Sequence, residues 1–215
     1  MLVIALDTST PAVTAGLVTT DGGRSRVLAE RVAVNPRAHG ELLMPQVLDL
    51  LTETGRTFAD VGAIVAGIGP GPFTGLRVGL ATATALGQAR GIPVHPVVSS
   101  DAIAAAADAD GPLLVATDAR RKEAFWAAYD GATRIDGPHV AKPADVPTGG
   151  YEVAAGELAE SLGLRVIEPR YPTPAGLVAA ADLDADPEPL VPLYLRRPDA
   201  AEPGKRKTVL TGGST

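Results

Sequence analysis

Residues 61–87, "VGAIVAGIGPGPFTGLRVGLATATALG", constrain the fold more than any other part of this chain. The first seven are wholly apolar, as expected of a central strand buried on both faces. Gly71 followed by Pro72 then suits a helix start, with proline at the first helical position. Within that helix Gly75, Gly79, Ala83 and Gly87 recur every four residues, which places them on one face. Each glycine costs roughly 1 kcal/mol of helix stability relative to alanine. The stripe therefore calls for a close neighbour, either an element of the same lobe or a helix of another protein. Leu76 and Leu80 flank it.

The surrounding pattern is strand, strand, strand, helix, strand, helix, strand. "LVIALD" (2–7) and "AVTAGLVTT" (12–20) read as strands joined by a tight turn, and "RVLAERVAV" (26–34) as a third. A helix is predicted from Arg37 to Thr54, stopped by Gly55, with Pro45 expected to kink or restart it. The motif helix stops near Gly91, and "PVHPV" gives one more strand. From Leu113, "LLVATDARRKEAFWAAYD" repeats the opening hairpin: an apolar strand ending in Asp (Asp118, as Asp7), a polar turn and a second apolar run. The order and the repeat predict an α/β fold of two related lobes, 1–100 and 101–197, the second reduced. A loop is predicted over 139–150, a short strand in "YEVAAG", and a helix over 173–183 with Thr173 as cap. Residues 198–215 lack periodicity and are expected to form a disordered tail.

Composition narrows the function. The chain has no cysteine, which fits a reducing cytoplasm and excludes disulfides and thiolate metal sites. A net charge of −6 argues against general affinity for a nucleic-acid backbone, so RNA contact is expected through a partner. The N-terminus has no basic leader, and its apolar run is too short to span a membrane.

Candidate chemistry begins at Asp7-Thr8-Ser9-Thr10. An Asp at a strand end followed by hydroxyls can hold a magnesium-bound phosphate; a side-chain-to-backbone turn explains the same residues. Phosphate loops of this type need glycine, yet Ser9 stands two residues after Asp7, and Ala119-Arg120-Arg121-Lys122 follows Asp118. Asp7, Thr8 and Ser9 therefore offer weak nucleotide contact at most. The basic triplet 120–122 suits a phosphate, an acidic partner or RNA, or is a solvated turn. A helical metal pair needs a second ligand four residues after His39, where Leu43 stands; with His95 and His139 isolated, no metal site is expected. Ser99-Ser100-Asp101 reads as a helix cap. The glycine motif is not a P-loop, because no Lys-Ser/Thr follows and Pro70 and Pro72 lack N–H donors. The first helix carries Leu42, Leu43, Met44, Val47, Leu48, Leu50 and Leu51, more apolar surface than one buried face requires.

Taken together, "VIALDTSTPAVTAGLV", "HGELLMPQVLDLL", "VAGIGPGPFTGLRVGLATATALG", "VATDARRKEAFWAAYD" and "PLYLRR" resemble the TsaB family, also called YeaZ, over residues 1–197. The most specific part is the motif loop at 69–77, with Gly69, Pro70, Gly71, Phe73, Thr74, Gly75 and Arg77. The resemblance implies an actin-like (ASKHA, ribonuclease-H-like) fold and a role in making N6-threonylcarbamoyladenosine beside the tRNA anticodon. It further implies a non-catalytic, cytoplasmic subunit that dimerises with and activates the TsaD transferase, joined by the ATPase TsaE. ATP and metal are then expected on those partners and none on this chain, and tRNA only through the complex; a homodimer using the same groove when TsaD is absent is a third reading. TsaD carries a His-x-x-x-His metal pair where this chain has His39 and Leu43. The expected interface is Leu43, Val47 and Leu50 from the first helix with Leu76, Gly79, Leu80 and Ala83 from the second. Arg77 is expected to fix the motif loop or to pair with a partner acid. The competing reading is an actin-like nucleotide-binding ATPase or kinase.

Overall fold

The computed structural model describes residues 1–196; the tail expected to be disordered lies outside them. Seven elements form the first lobe: β1 (Leu2–Asp7), β2 (Ala12–Asp21), β3 (Arg24–Val34), α1 (His39–Glu53), β4 (Val61–Gly67), α2 (Phe73–Arg90) and β5 (Val94–Val97). The strands lie in the order β3-β2-β1-β4-β5. Ile4 of central β1 stands opposite Leu17 of antiparallel β2 and Ile64 of parallel β4. α3 (Ser99–Ala106) leads to β6 (Pro112–Asp118), β7 (Ala124–Asp130), β8 (Thr133–Ala141), β9 (Val153–Ala155) and β10 (Arg165–Val166), and α4 (Pro174–Ala179) follows. Their order, β8-β7-β6-β9-β10, reproduces that of the first sheet. Where the first lobe has α1 and α2, the second has only short 3-10 turns, Pro143–Asp145 and Ala159–Leu162. The second lobe is therefore the reduced copy.

β1 is buried along its whole length because both faces of the sheet are covered. Leu2, Ile4 and Leu6 face α1 and α2, and Val3 and Ala5 face the opposite way, toward Ala102 of α3 and Leu177 and Val178 of α4. α3 also sends Ile103 and Ala104 into the core of the second sheet, so it bridges the lobes. The division expected at residue 100 falls within this helix. The chain returns to the first sheet late: Thr14 Oγ1 donates to the Pro172 carbonyl at 2.9 Å, and Leu193 N–H donates to Ile68 O at 2.8 Å. The first lobe is closed by residues from both ends of the chain.

The residues expected at the interface lie inside this lobe. Leu43, Val47, Leu50, Leu76, Leu80 and Ala83 are at most 8% exposed, and Gly79 is buried. Leu43, Val47, Leu50 and Ala83 pack on residues of β1, β2 and β4 in the core of this lobe, and Gly79 packs on the Thr8 side chain of the turn after β1. The small-residue stripe is an internal seat: a Cβ on Gly79 would lie 2.5 Å from Thr8 Oγ1, and one on Gly87 2.3 Å from Val94 Cγ2. Of the two neighbours the sequence left open, the one in the same lobe fills this face. The outward surface of the two helices presents Leu48, 49% exposed, beside a shallow apolar depression formed by Met44, Ala81, Thr82, Ala85 and Leu86.

Smaller differences follow from local chemistry. α1 runs unbroken through Pro45. Residues 139–141 belong to β8 rather than to a loop, because they pair with β7, His139 opposite Trp126. The helix predicted over 173–183 is only six residues long, and Thr173 caps it as expected by accepting from Gly176 N–H at 3.0 Å.

Candidate functional site

Asp7 ends β1 at the centre of the first sheet and is 1% exposed. Its Oδ1 accepts from the N–H and the hydroxyl of Ser9, both at 2.8 Å, and its Oδ2 accepts from Ser99 Oγ at 2.5 Å. Burial pushes the carboxyl above its usual range, and the hydrogen bonds from Ser99 and Ser9 oppose that shift. A Cβ on Gly67 would lie 1.8 Å from Oδ2, so the strand beside Asp7 tolerates only glycine there. Both carboxylate oxygens are thus held inside the fold. Ser99 corrects the helix-cap reading: the residue before the helix is Val98, and the Ser99 hydroxyl bridges Asp7 and Gly69 N–H instead. No local signal marks a serine whose partner lies 92 residues away.

The rest of the turn is equally committed. Thr8 Oγ1 donates to Gly75 O at 2.8 Å and accepts from Gly79 N–H at 2.9 Å. Those are the two groups that an α-helix pairs with one another, so the threonine is stitched into the ladder of α2. His39 Nε2 lies 2.8 Å from the Thr10 carbonyl and must donate to it, which fixes the tautomer. A Cβ on Gly71 would lie 2.1 Å from Ser9 O. The glycines of the motif loop therefore seat it on the Asp7 turn. Gly69 has φ +97°, and its peptide bond to Pro70 is cis.

Phe73, Thr74 and Arg77 occupy the outer side of the motif. The Arg77 guanidinium lies 3.9 Å over the Phe73 ring, whose other neighbour is Tyr194, with centroids 5.1 Å apart. Arg77 Nε also donates to Tyr194 OH at 3.3 Å. Arg77 thus ties the late segment to the motif loop. On the second lobe, Asp118 accepts from Arg120 N–H at 2.8 Å and pairs with the Arg120 guanidinium at 3.5 Å. Arg120, Arg121 and Lys122 have φ of 64°, 53° and 63°, a left-handed run that costs side-chain-bearing residues roughly 1–2 kcal/mol each. Arg196 supports the turn by donating to Ala119 O at 2.8 Å and pairing with Glu123. Burial pushes Glu157 up, and nearby Asp118 adds to that shift.

Between the lobes lies a cleft of about 280 Å³. Thr8, Thr10, Arg37, His39 and Thr74 line it from the first lobe and Arg120 from the second. Among the described residues no group of three or more His, Asp or Glu is placed to hold a metal ion, and no helix is long and apolar enough to cross a membrane.

Two sheets with one strand order, joined through a bridging helix, define an actin-like, ribonuclease-H-like α/β protein of two lobes. Residues 26–180 match the family described as TsaD: tRNA N6-adenosine threonylcarbamoyltransferase. The chain belongs to that family and is similar to TsaB (YeaZ) proteins. It is 33% identical over 132 residues to the tRNA threonylcarbamoyladenosine biosynthesis protein TsaB of Escherichia coli, covering 60% of this chain and 55% of that one. An uncharacterized Mycobacterium leprae protein is 54% identical over 202 residues, covering 93% of this chain and 56% of that protein. The chain thus spans about half the length of these two curated relatives. YeaZ from Pseudomonas aeruginosa superposes with a TM-score of 0.72 at 27% identity, covering 90% of this chain and 99% of that one.

Proposed function

We propose that this chain is a non-catalytic subunit in the synthesis of N6-threonylcarbamoyladenosine on tRNA, acting as dimerisation partner and activator of a TsaD transferase. The observation that carries this reading is the internal commitment of the groups best suited to chemistry. Asp7 accepts three hydrogen bonds from Ser9 and Ser99, Thr8 is stitched into α2, and His39 is bonded to a carbonyl with buried Leu43 where a second ligand would stand. The relatives named for tRNA threonylcarbamoyladenosine biosynthesis support the pathway. In this reading TsaE joins the heterodimer, ATP and metal sit on the partners, tRNA is met through the complex, and the work is done in the cytoplasm. The surface offered to TsaD is the outer face of α1 and α2, centred on Met44, Leu48, Ala81 and Ala85 rather than on the buried residues of the same helices. The same face would make a homodimer in the absence of TsaD.

The test is reconstitution of tRNA modification from purified TsaD, TsaE and the adenylate-forming synthase, with and without this chain. Modification should require it. The double variant Leu48→Asp/Ala85→Asp should stay folded, since both side chains lie on the outer face and only the poorer helix propensity of Asp lowers its melting temperature, yet fail to co-purify with TsaD. Full modification without the chain would overturn the reading. Magnesium-dependent ATP hydrolysis by the isolated chain, lost on Asp7→Asn, would instead establish the ATPase or kinase alternative.

A further inference from the structure

We propose that residues 190–196 are a strap that latches the two lobes to one another beside the cleft, with Arg196 as the latch. The chain crosses between the lobes before it reaches this segment. One crossing is α3, which sends Ala102 into the core of the first lobe and Ile103 and Ala104 into that of the second. Another lies between β10 and α4: Ile167 packs in the second lobe, and Pro172 O accepts from Thr14 Oγ1 in the first. Short crossings of this kind form a hinge, about which two lobes rotate as rigid bodies unless something else joins them. The late segment supplies that further link.

Its contacts change sides within one short stretch. On the first lobe, Leu193 N–H donates to Ile68 O at 2.8 Å, and Tyr194 stacks on Phe73 and accepts from Arg77 Nε. On the second lobe, Arg196 donates to Ala119 O at 2.8 Å and pairs with Glu123. Pro72 and Thr74, on either side of Phe73, line one wall of the cleft, and Arg120, next to Ala119, lines the other. The strap therefore runs from wall to wall. Residues 190–196 belong to no helix or strand, so these contacts rather than a backbone ladder hold them. The Arg196 and Glu123 side chains are 27% and 29% exposed, which puts the pair at the edge of solvent, where water can replace either partner. Such a link opens and recloses, as a latch does. Releasing Arg196 leaves the strap on the first lobe, anchored by Leu190 against its core, and frees the second lobe to swing. The latch does not depend on the partner assignment above.

The experiment measures the distance between the lobes. The chain has no cysteine, so a pair of introduced cysteines carries spin labels at chosen places only. Arg56→Cys in the first lobe and Ala144→Cys in the second change exposed residues. Electron–electron distance measurements on the full chain should give one narrow distance while the strap is intact. Arg196→Ala should add a second distance, raising the share of displaced lobes about tenfold or more, as loss of a charge-assisted hydrogen bond implies. Ending the chain after Val191, which removes the contacts of Leu193, Tyr194 and Arg196 together, should give the same second distance. Asp136→Asn, which breaks an exposed pair with His139 inside β8, should leave the parent distance unchanged. Amide exchange at Glu123, whose N–H donates to Arg120 O, reports the second-lobe turn separately. Faster exchange there with an unchanged distance would show that Arg196 only braces its own turn, and would overturn the latch. A broad distance in the parent would overturn it as well, because the lobes would then move with the strap in place.

Discussion

Replacing Gly79 with alanine separates two roles for the small-residue stripe of α2. On an exposed helix face the change would stabilise the chain by about 1 kcal/mol, the difference in helix propensity. Here the new methyl would stand 2.5 Å from Thr8 Oγ1, about 1 Å inside an ordinary carbon–oxygen contact. Thr8 is 1% exposed, and its hydroxyl is held by both Gly75 O and Gly79 N–H, so it cannot swing away without losing those bonds. Overpacking costs about 1–3 kcal/mol, and a displaced buried hydroxyl about 1–3 kcal/mol more. Less the propensity gain, the net loss is about 3 kcal/mol. For a chain of this length that corresponds to a fall in Tm of about 6–12 °C. Urea denaturation with and without Thr8→Ala is the assay, because removing the Thr8 side chain makes room for the methyl. The double variant should lose less than the sum of the single losses. Gly79→Ala as stable as the parent, or more stable, would refute the internal seat and return the stripe to the surface.

Two further predictions concern the same neighbourhood. Because burial holds the Asp7 carboxyl above the unfolded value of 3.8, its contribution to stability is fully present below that value and is lost as pH rises through the folded pKa. The stability of the parent relative to Asp7→Asn, measured by urea titrations between about pH 4 and pH 8, should therefore fall with rising pH; a flat or rising difference would show that burial does not dominate. Tyr194→Ala removes the ring packed on Phe73 and should cost about 1 kcal/mol. Faster hydrogen exchange at Leu193 N–H would report the loosened segment, and unchanged exchange would mean that the ring does not hold it.

The first lobe was legible because its elements carry periodic or punctuated signals. The apolar run 61–67 is β4 to the residue, and 2–7 is β1. The matched hairpins ending in Asp7 and Asp118 announced the duplication seen in the two sheets. β8 and β10 were missed because their residues are largely exposed and lack alternation. The site was legible in its residue types but not in its pairings. Ser99 reads locally as a cap, and nothing near it in sequence points to Asp7.

Alone, the sequence determined the strand order's ingredients, the doubled lobe and the need for something close against the glycine face of α2. Those follow from side-chain period and backbone sterics, which act over a few residues. Only the tertiary structure decided what fills that face, since Thr8 and Val94 reach it through the sheet. It also decided that Leu43, Val47 and Leu50 point inward while Leu48 points out. A helix apolar on several faces does not say which one its own sheet covers; that choice is made by contacts between residues far apart in the chain.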